Sequence, residues 1–266
     1  MSGLCGGVSR TAARISIIRV TDAILEFKDE YLRMPSMADR DRVAREYFER
    51  FGIPKIAYGV DGMHAKFVGM PRDRPAHIPS QRFWNRKQCY SLNVQVVSNG
   101  ERICAVDVGW PGSAHDSRIW TRSLERLIVE ADPSHRICGD SAYPISAVMV
   151  KPYPARETRN NRENRIFNKK LSQIRTLMTE DVFGQWQRMF PYITNMRTHL
   201  KTSQKIIVAT AILFNIRKEM RDSDEFNRLD WGLDRVGLNP RIYISDLEMR
   251  REGQTRRDEL RNMMVI

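Results

Sequence analysis

Apolar and polar positions divide the chain into helical ends and a strand-rich middle. From 8 to 34, a partly periodic surface of Ile15, Ile18, Ala23 and Leu25 to Phe27 predicts a helix. Pro35 stops it, because the residue before a proline avoids helical backbone. Val43, Tyr47 and Phe51 recur at four-residue intervals, so a second helix is expected over 38–51, capped by Ser36 and ended by Gly52. Ile56, Tyr58 and Val60 then alternate as on one face of a strand over 53–65. Three prolines and mixed charge make 69–82 a loop. Leu92, Val94 and Val96 alternate with Asn93 and Gln95, Ser98-Asn-Gly100 turns, and Ile103 to Val108 returns, which is a hairpin.

The second half mixes short strands with longer helices. Trp110-Pro-Gly112 reads as a rigid turn, and Ile119, Leu124, Leu127 and Ile128 predict a helix over 117–129. Ile137-Cys138 is a short apolar run that delivers Gly139 and Asp140 to the edge of a sheet, and 147–150 is a last short strand. Helices follow over 171–190 and 202–220. Three units are expected: a helical segment 1–52, a catalytic-type domain 53–220, and a peripheral, weakly periodic tail 221–266.

Three sequential strands, a helix and a fourth strand are the order of a ribonuclease-H-like α/β fold, a mixed sheet flanked by helices. In that fold the first and fourth strands lie side by side, so Asp61 and Asp140 become neighbours and Glu180 leans in from a helix. Clustered carboxylates repel one another and are resolved by a hard divalent cation such as Mg2+ or Mn2+. Two such ions suit the activation of a water or 3′-hydroxyl at a phosphodiester. Each acid also has a plain structural role open to it: a turn residue at Asp61, a helix cap at Asp116, an Asx turn at Asp140 and a solvated helix position at Glu180. Gly184, one turn after Glu180, lowers helix propensity but permits close approach to the helix backbone.

Composition sharpens the choice of partner. With 44 Lys and Arg against 32 Asp and Glu, the net charge of +12 favours a polyanionic partner such as double-stranded DNA, without separating it from RNA or an acidic lipid surface. Arg159, Arg162 and Arg165 stand in a charged run over 155–170 that is either solvated surface or a phosphate-backbone contact. The longest apolar run, Ile206 to Phe214, is too short for a membrane span and reads as a buried helix. Four cysteines without paired spacing argue against zinc and for reduced core residues. The first residues lack the apolar core of a secretory signal, so an intracellular setting is expected.

Several stretches carry a family resemblance. They are Asp61-Gly-Met-His64, Asn85-Arg-Lys87, Tyr90-Ser-Leu-Asn-Val-Gln95 and Gly109-Trp-Pro-Gly-Ser-Ala-His-Asp116-Ser-Arg118. They continue with Gly139-Asp-Ser-Ala-Tyr-Pro144, Thr179-Glu-Asp-Val-Phe-Gly184, Arg188-Met-Phe-Pro191 and Leu213-Phe-Asn215. In this order, over about 55–217, the chain resembles the nuclease domain of PIF/Harbinger transposases and the nucleases derived from them. The resemblance implies a DDE-type, divalent-metal-dependent endonuclease acting on DNA in the nucleus or also the cytoplasm. It maps the acids onto Asp61, Asp116, Asp140 and Glu180. Topology favours Asp61, Asp140 and Glu180 as metal ligands with Asp116 auxiliary, and a set using Asp116 in place of Asp140 stays open. His64, Lys87 and His115 are further DNA-contact candidates.

Departures from the family pattern keep a second function in view. Met63 stands where a Thr-like residue is usual, Phe214 where His is usual, and Asp181 where Arg usually follows the third acid. Only the last helix of the expected upstream helix-turn-helix region is matched, by Gly7 to Val20, so a truncated copy and a separate DNA-binding partner protein are both expected. The alternative to an enzyme is a catalytically inactive DNA- or protein-binding relic. A ribonuclease rests on fold analogy alone. Target sequence and oligomeric state are not legible.

Overall fold

The structure is a computed structural model describing residues 9–71, 73–222 and 246–264. Strand β1 (Ile56–Lys66) is its central element. It pairs antiparallel with β2 (Ser91–Ser98), which pairs antiparallel with β3 (Ile103–Pro111). On its other side β1 runs parallel to β4 (Arg136–Cys138), which runs parallel to β5 (Met149–Val150). The order β3-β2-β1-β4-β5 is that of the expected ribonuclease-H-like mixed sheet. The antiparallel half comes from tight hairpins. The parallel half needs crossovers, and α4 (Asp116–Arg122) and α5 (Leu124–Ala131) supply the one from β3 to β4.

Alternation along β1 divides the core. Met63 and Ala65 join Leu92, Val94, Trp186, Ile207 and Phe214 under α8 (Asp181–Met189) and α9 (Leu200–Asp222). Tyr58 and Val60 join Trp120, Leu124, Ile128 and Ile137 on the opposite face, under α4 and α5. A third cluster unites Val43 of α3 (Met37–Phe51), Phe167, Leu171 and Ile174 of α7 (Arg162–Arg175), and Val150. A sheet covered on both faces needs apolar residues at successive positions. Accordingly, every residue of β2 is buried, including Asn93 and Gln95.

Several boundaries differ from expectation for identifiable reasons. The first predicted helix is two, α1 (Arg10–Leu25) and α2 (Lys28–Tyr31), and α1 lies along α9. Trp110 and Pro111 extend edge strand β3 rather than turning, as an edge tolerates a proline that cannot donate. The helix expected at 117–129 breaks at Ser123 into α4 and α5. The charged run forms α6 (Ala155–Thr158) and the start of α7. Of the C-terminal tail, α10 (Asp246–Asn262) is not peripheral. Leu260 and Met264 enter the third core cluster, and the Tyr153 hydroxyl donates to Asp258 at 2.5 Å. Residues 223–245 of that tail lie outside the described residues. Asn215 of α9 pins the sheet edge, exchanging hydrogen bonds with the Ile103 N–H and C=O. No helix among the described residues is long and apolar enough to cross a membrane.

Candidate active site

Asp61 sits inside β1 and shares a strand face with Met63 and Ala65, toward α7 and α8. Gly59 on β1 pairs with Cys138 on β4, so Asp61 and Asp140 each follow that pair by two residues. Adjacent parallel strands thus set Asp61, midway along the longer β1, level with Asp140 just past the end of β4. Asp140 also makes the Asx turn open to it, its Oδ1 accepting from the Ala142 N–H at 2.8 Å. A second carboxylate oxygen remains for other work.

Glu180 comes from an irregular piece of helix. Between α7 and α8 the helix widens into a π turn, Thr176–Glu180, a distortion that recurs at functional sites. The turn packs onto β1 through Gly59, where a Cβ would lie 2.7 Å from Thr179 and 2.8 Å from Met178. The Ser98 hydroxyl of β2 donates to the Met178 carbonyl and ties the turn to the sheet. Glu180 itself stays exposed, and Asp181 after it points to solvent.

Arg175, unassigned from sequence, joins these parts. Its Nη1 is 3.0 Å from Asp61 Oδ2 and its Nη2 is 2.7 Å from Glu180 Oε1. One guanidinium therefore bridges two of the site acids. The signal available in sequence was slight: an arginine five residues before Glu180, a spacing that a regular helix does not place on one face.

Asp116 reaches the site from the other side of the sheet. As the first residue of α4, it is not the helix cap, which falls at His115. Its Oδ1 accepts from Asn93 Nδ2 at 2.8 Å, and Gln95 Nε2 donates to its backbone carbonyl at 2.7 Å. Only a glycine lets it come so close to β1, since a Cβ on Gly62 would lie 2.5 Å from Asp116 Oδ1. Asn93 and Gln95 thus hold Asp116, a role their alternation with apolar neighbours did not disclose.

The local field is strongly negative. Burial pushes the Asp61 carboxyl up to about 6, and Asp140 and Asp116 add to the rise, while the Gly62 N–H and Arg175 oppose it. The Tyr143 hydroxyl is buried without a hydrogen-bond partner among the described residues and is held well above the usual phenol range by burial and by the same three aspartates. Asn93 Oδ1, beside Asp116, is a buried acceptor in the same position.

The basic candidates divide. His64 Nδ1 lies 3.1 Å from Ser91 Oγ, and burial, Lys87 and Arg86 hold its pKa below the ordinary value. Lys87 is exposed on the loop that the Asn85 side chain organises, and His115 is exposed before α4. Arg159, Arg162 and Arg165 are exposed around the start of α7, and the Arg165 guanidinium donates to the Thr158 and Arg159 carbonyls. From there to Arg175 is ten or more helical residues, roughly 15–20 Å.

Hard carboxylate oxygens, a buried orphan acceptor and a raised Asp61 pKa suit a divalent cation in kind. As arranged, however, no three His, Cys, Asp or Glu side chains among the described residues stand close enough to enclose one. Arg175 supplies positive charge between Asp61 and Glu180 instead.

Comparison with known proteins fits this architecture. The family model described as "DDE superfamily endonuclease" matches residues 60–215, more than half of the chain. The mouse protein "Putative nuclease HARBI1" is 26% identical over 179 residues, covering 65% of this chain and 50% of its own length. Its human counterpart is 24% identical over 157 residues, covering 57% and 43%. The chain thus spans about half the length of the curated relatives it matches. A solved pre-cleavage Mos1 transpososome aligns over 74% of this chain and 66% of its own at 10% identity, with a TM-score of 0.25 that carries no weight. By the family match, the chain belongs to the DDE superfamily endonucleases.

Proposed function

We propose that this chain is a divalent-metal-dependent DNA nuclease of transposase ancestry that hydrolyses or transfers phosphodiester bonds. The observation that carries this reading is the placement of Asp61 and Asp140 level with each other on adjacent parallel strands, with Asp116 closing on β1 at bare Gly62. When bound, divalent cations, two in the usual arrangement of such sites, polarise the phosphate and lower the pKa of the attacking water or 3′-hydroxyl. Asp61 and Asp140 would hold them, and Glu180 would be a further ligand only where its ion pair with Arg175 is broken. Asp116 packs against Gly62, which alternation turns to the face of β1 opposite Asp61, and this suits an auxiliary place held by Asn93. Asp61 works ionised, a form that burial disfavours until positive charge compensates it. His64, neutral and tied to Ser91, and the exposed His115 and Lys87 meet the DNA strand. Sequence-specific delivery falls to a separate DNA-binding partner, and a DNA substrate sets the nucleus as the workplace.

The Arg175 bridge favours one alternative, a relic in which an internal cation has replaced the metal for good. Incubation with supercoiled plasmid, Mg2+ or Mn2+ and an EDTA control separates the two. The chain should be tested alone and fused to a DNA-binding domain. Cleavage that Asp140→Asn abolishes supports the nuclease. Inert wild-type protein in both formats supports the relic, and cleavage undiminished in Asp140→Asn belongs to another site.

A further inference from the structure

We infer that the cleft between α8 and α9 is a binding site for a backbone phosphate of the DNA substrate, an inference that rests on the nuclease reading above. Gln185, Arg188, Met189, Arg217 and Lys218 wall a cavity of about 260 Å3. That is below the roughly 300 Å3 at which pockets for drug-sized ligands begin, and it suits a small anionic group. Its walls hold three cations and no carboxylate. None of the three forms an ion pair among the described residues, whereas Arg175 and Arg102 do. Lys218 rests over the Phe214 ring at 5.7 Å and Met189 is apolar, so the charges meet low-dielectric walls that strengthen their pull on an anion.

Position ties the cleft to the active site. Glu180, Gly184 and Arg188 follow one another at four-residue steps on one helix face, about 12 Å from first to last. A Cβ on Gly184 would lie 3.2 Å from Arg188 Nη1, so the bare residue lets the guanidinium lie back along the helix toward Glu180. This gives Gly184 a physical purpose despite its cost in helix propensity. Arg159, Arg162 and Arg165 lie farther off, and Arg165 spends its guanidinium on two carbonyls. The cleft is better placed than that run to hold a strand whose scissile phosphate lies at Glu180.

Fluorescence anisotropy in EDTA, with duplexes of unrelated sequence over a range of salt, tests the site without requiring turnover. Changing Arg188, Arg217 and Lys218 together to Gln should weaken binding of every duplex and reduce the salt slope by about 2–3, near 0.9 for each lost phosphate contact. Gly184→Ala keeps the charge but crowds the guanidinium, and it should weaken binding while leaving the thermal midpoint unchanged or raised. A matched triple change of Arg159, Arg162 and Arg165 should do less. Wild-type binding that survives the cleft triple, or falls equally with both triples, overturns the cleft and leaves the DNA reading standing. Wild type that binds no duplex, or binds duplex RNA more tightly, overturns both.

Discussion

Arg175 Nη1 lies 3.0 Å from Asp61 Oδ2, and the same guanidinium reaches Glu180 at 2.7 Å. A residue that no motif singled out thus neutralises part of the charge of the candidate site. The bridge holds β1 and the π turn in register, and it competes with any cation that needs both carboxylates.

Arg175→Gln should therefore separate stability from metal affinity. Loss of a charge-assisted pair, partly buried on both sides, should lower metal-free stability by about 1–3 kcal/mol. Mn2+ affinity should rise, by about tenfold for each 1.4 kcal/mol of ion pair the metal no longer has to break. Thermal melting in EDTA and calorimetric titration read the two effects. Unchanged Mn2+ affinity would show that the bridge is not in the metal's way.

Asp61 should leave a mark on stability against pH. Its folded pKa, near 6, exceeds the ordinary 3.8, so the folded state holds a proton that the unfolded chain releases. The contribution of Asp61 to stability is greatest below about pH 4, falls through the window from 4 to 6, and above it is lower by on the order of 3 kcal/mol. Asp61→Asn should remove that slope and raise the metal-free melting temperature at pH 7. A parent and variant with identical pH profiles in EDTA would contradict it.

Gly62→Ala tests the approach of Asp116. The new methyl, 2.5 Å from Asp116 Oδ1, must push the carboxylate aside, and the fold should survive because a side-chain terminus yields. Cleavage and Mn2+ affinity should drop about tenfold, at the low end for outer-shell partners of a metal. Gly69→Ala, which points into open space, is the control and should change nothing. Equal behaviour of the two variants would remove Asp116 from the site.

The sheet was legible because its physics is local. Alternation marked β1 and β2, Ser98-Asn-Gly100 marked their neighbour's turn, and the short Ile137-Cys138 run placed Asp140 at a strand end. Adjacency of Asp61 and Asp140 then followed from strand order. Arg175 was not legible, because the π turn that aligns it with Glu180 leaves no pattern in composition. Asn93 and Gln95 read as a polar strand face, whereas they are buried under α4 and grip Asp116. Helix α10 escaped notice because few apolar residues, Leu260 and Met264 among them, do its packing.

Titration of Mn2+ into the full metal-free chain at pH 7.5, followed by calorimetry, tests most directly whether these acids form a metal site. Wild-type protein should bind, and in a repeat at about pH 6, where Asp61 is half protonated, binding should also release protons. Asp140→Asn and Asp61→Asn should each lose that binding while keeping the parent's far-ultraviolet circular dichroism. Asp116→Asn should weaken it less. Absence of Mn2+ binding by the wild type, or binding unaffected in both Asp61→Asn and Asp140→Asn, would contradict the metal-dependent nuclease.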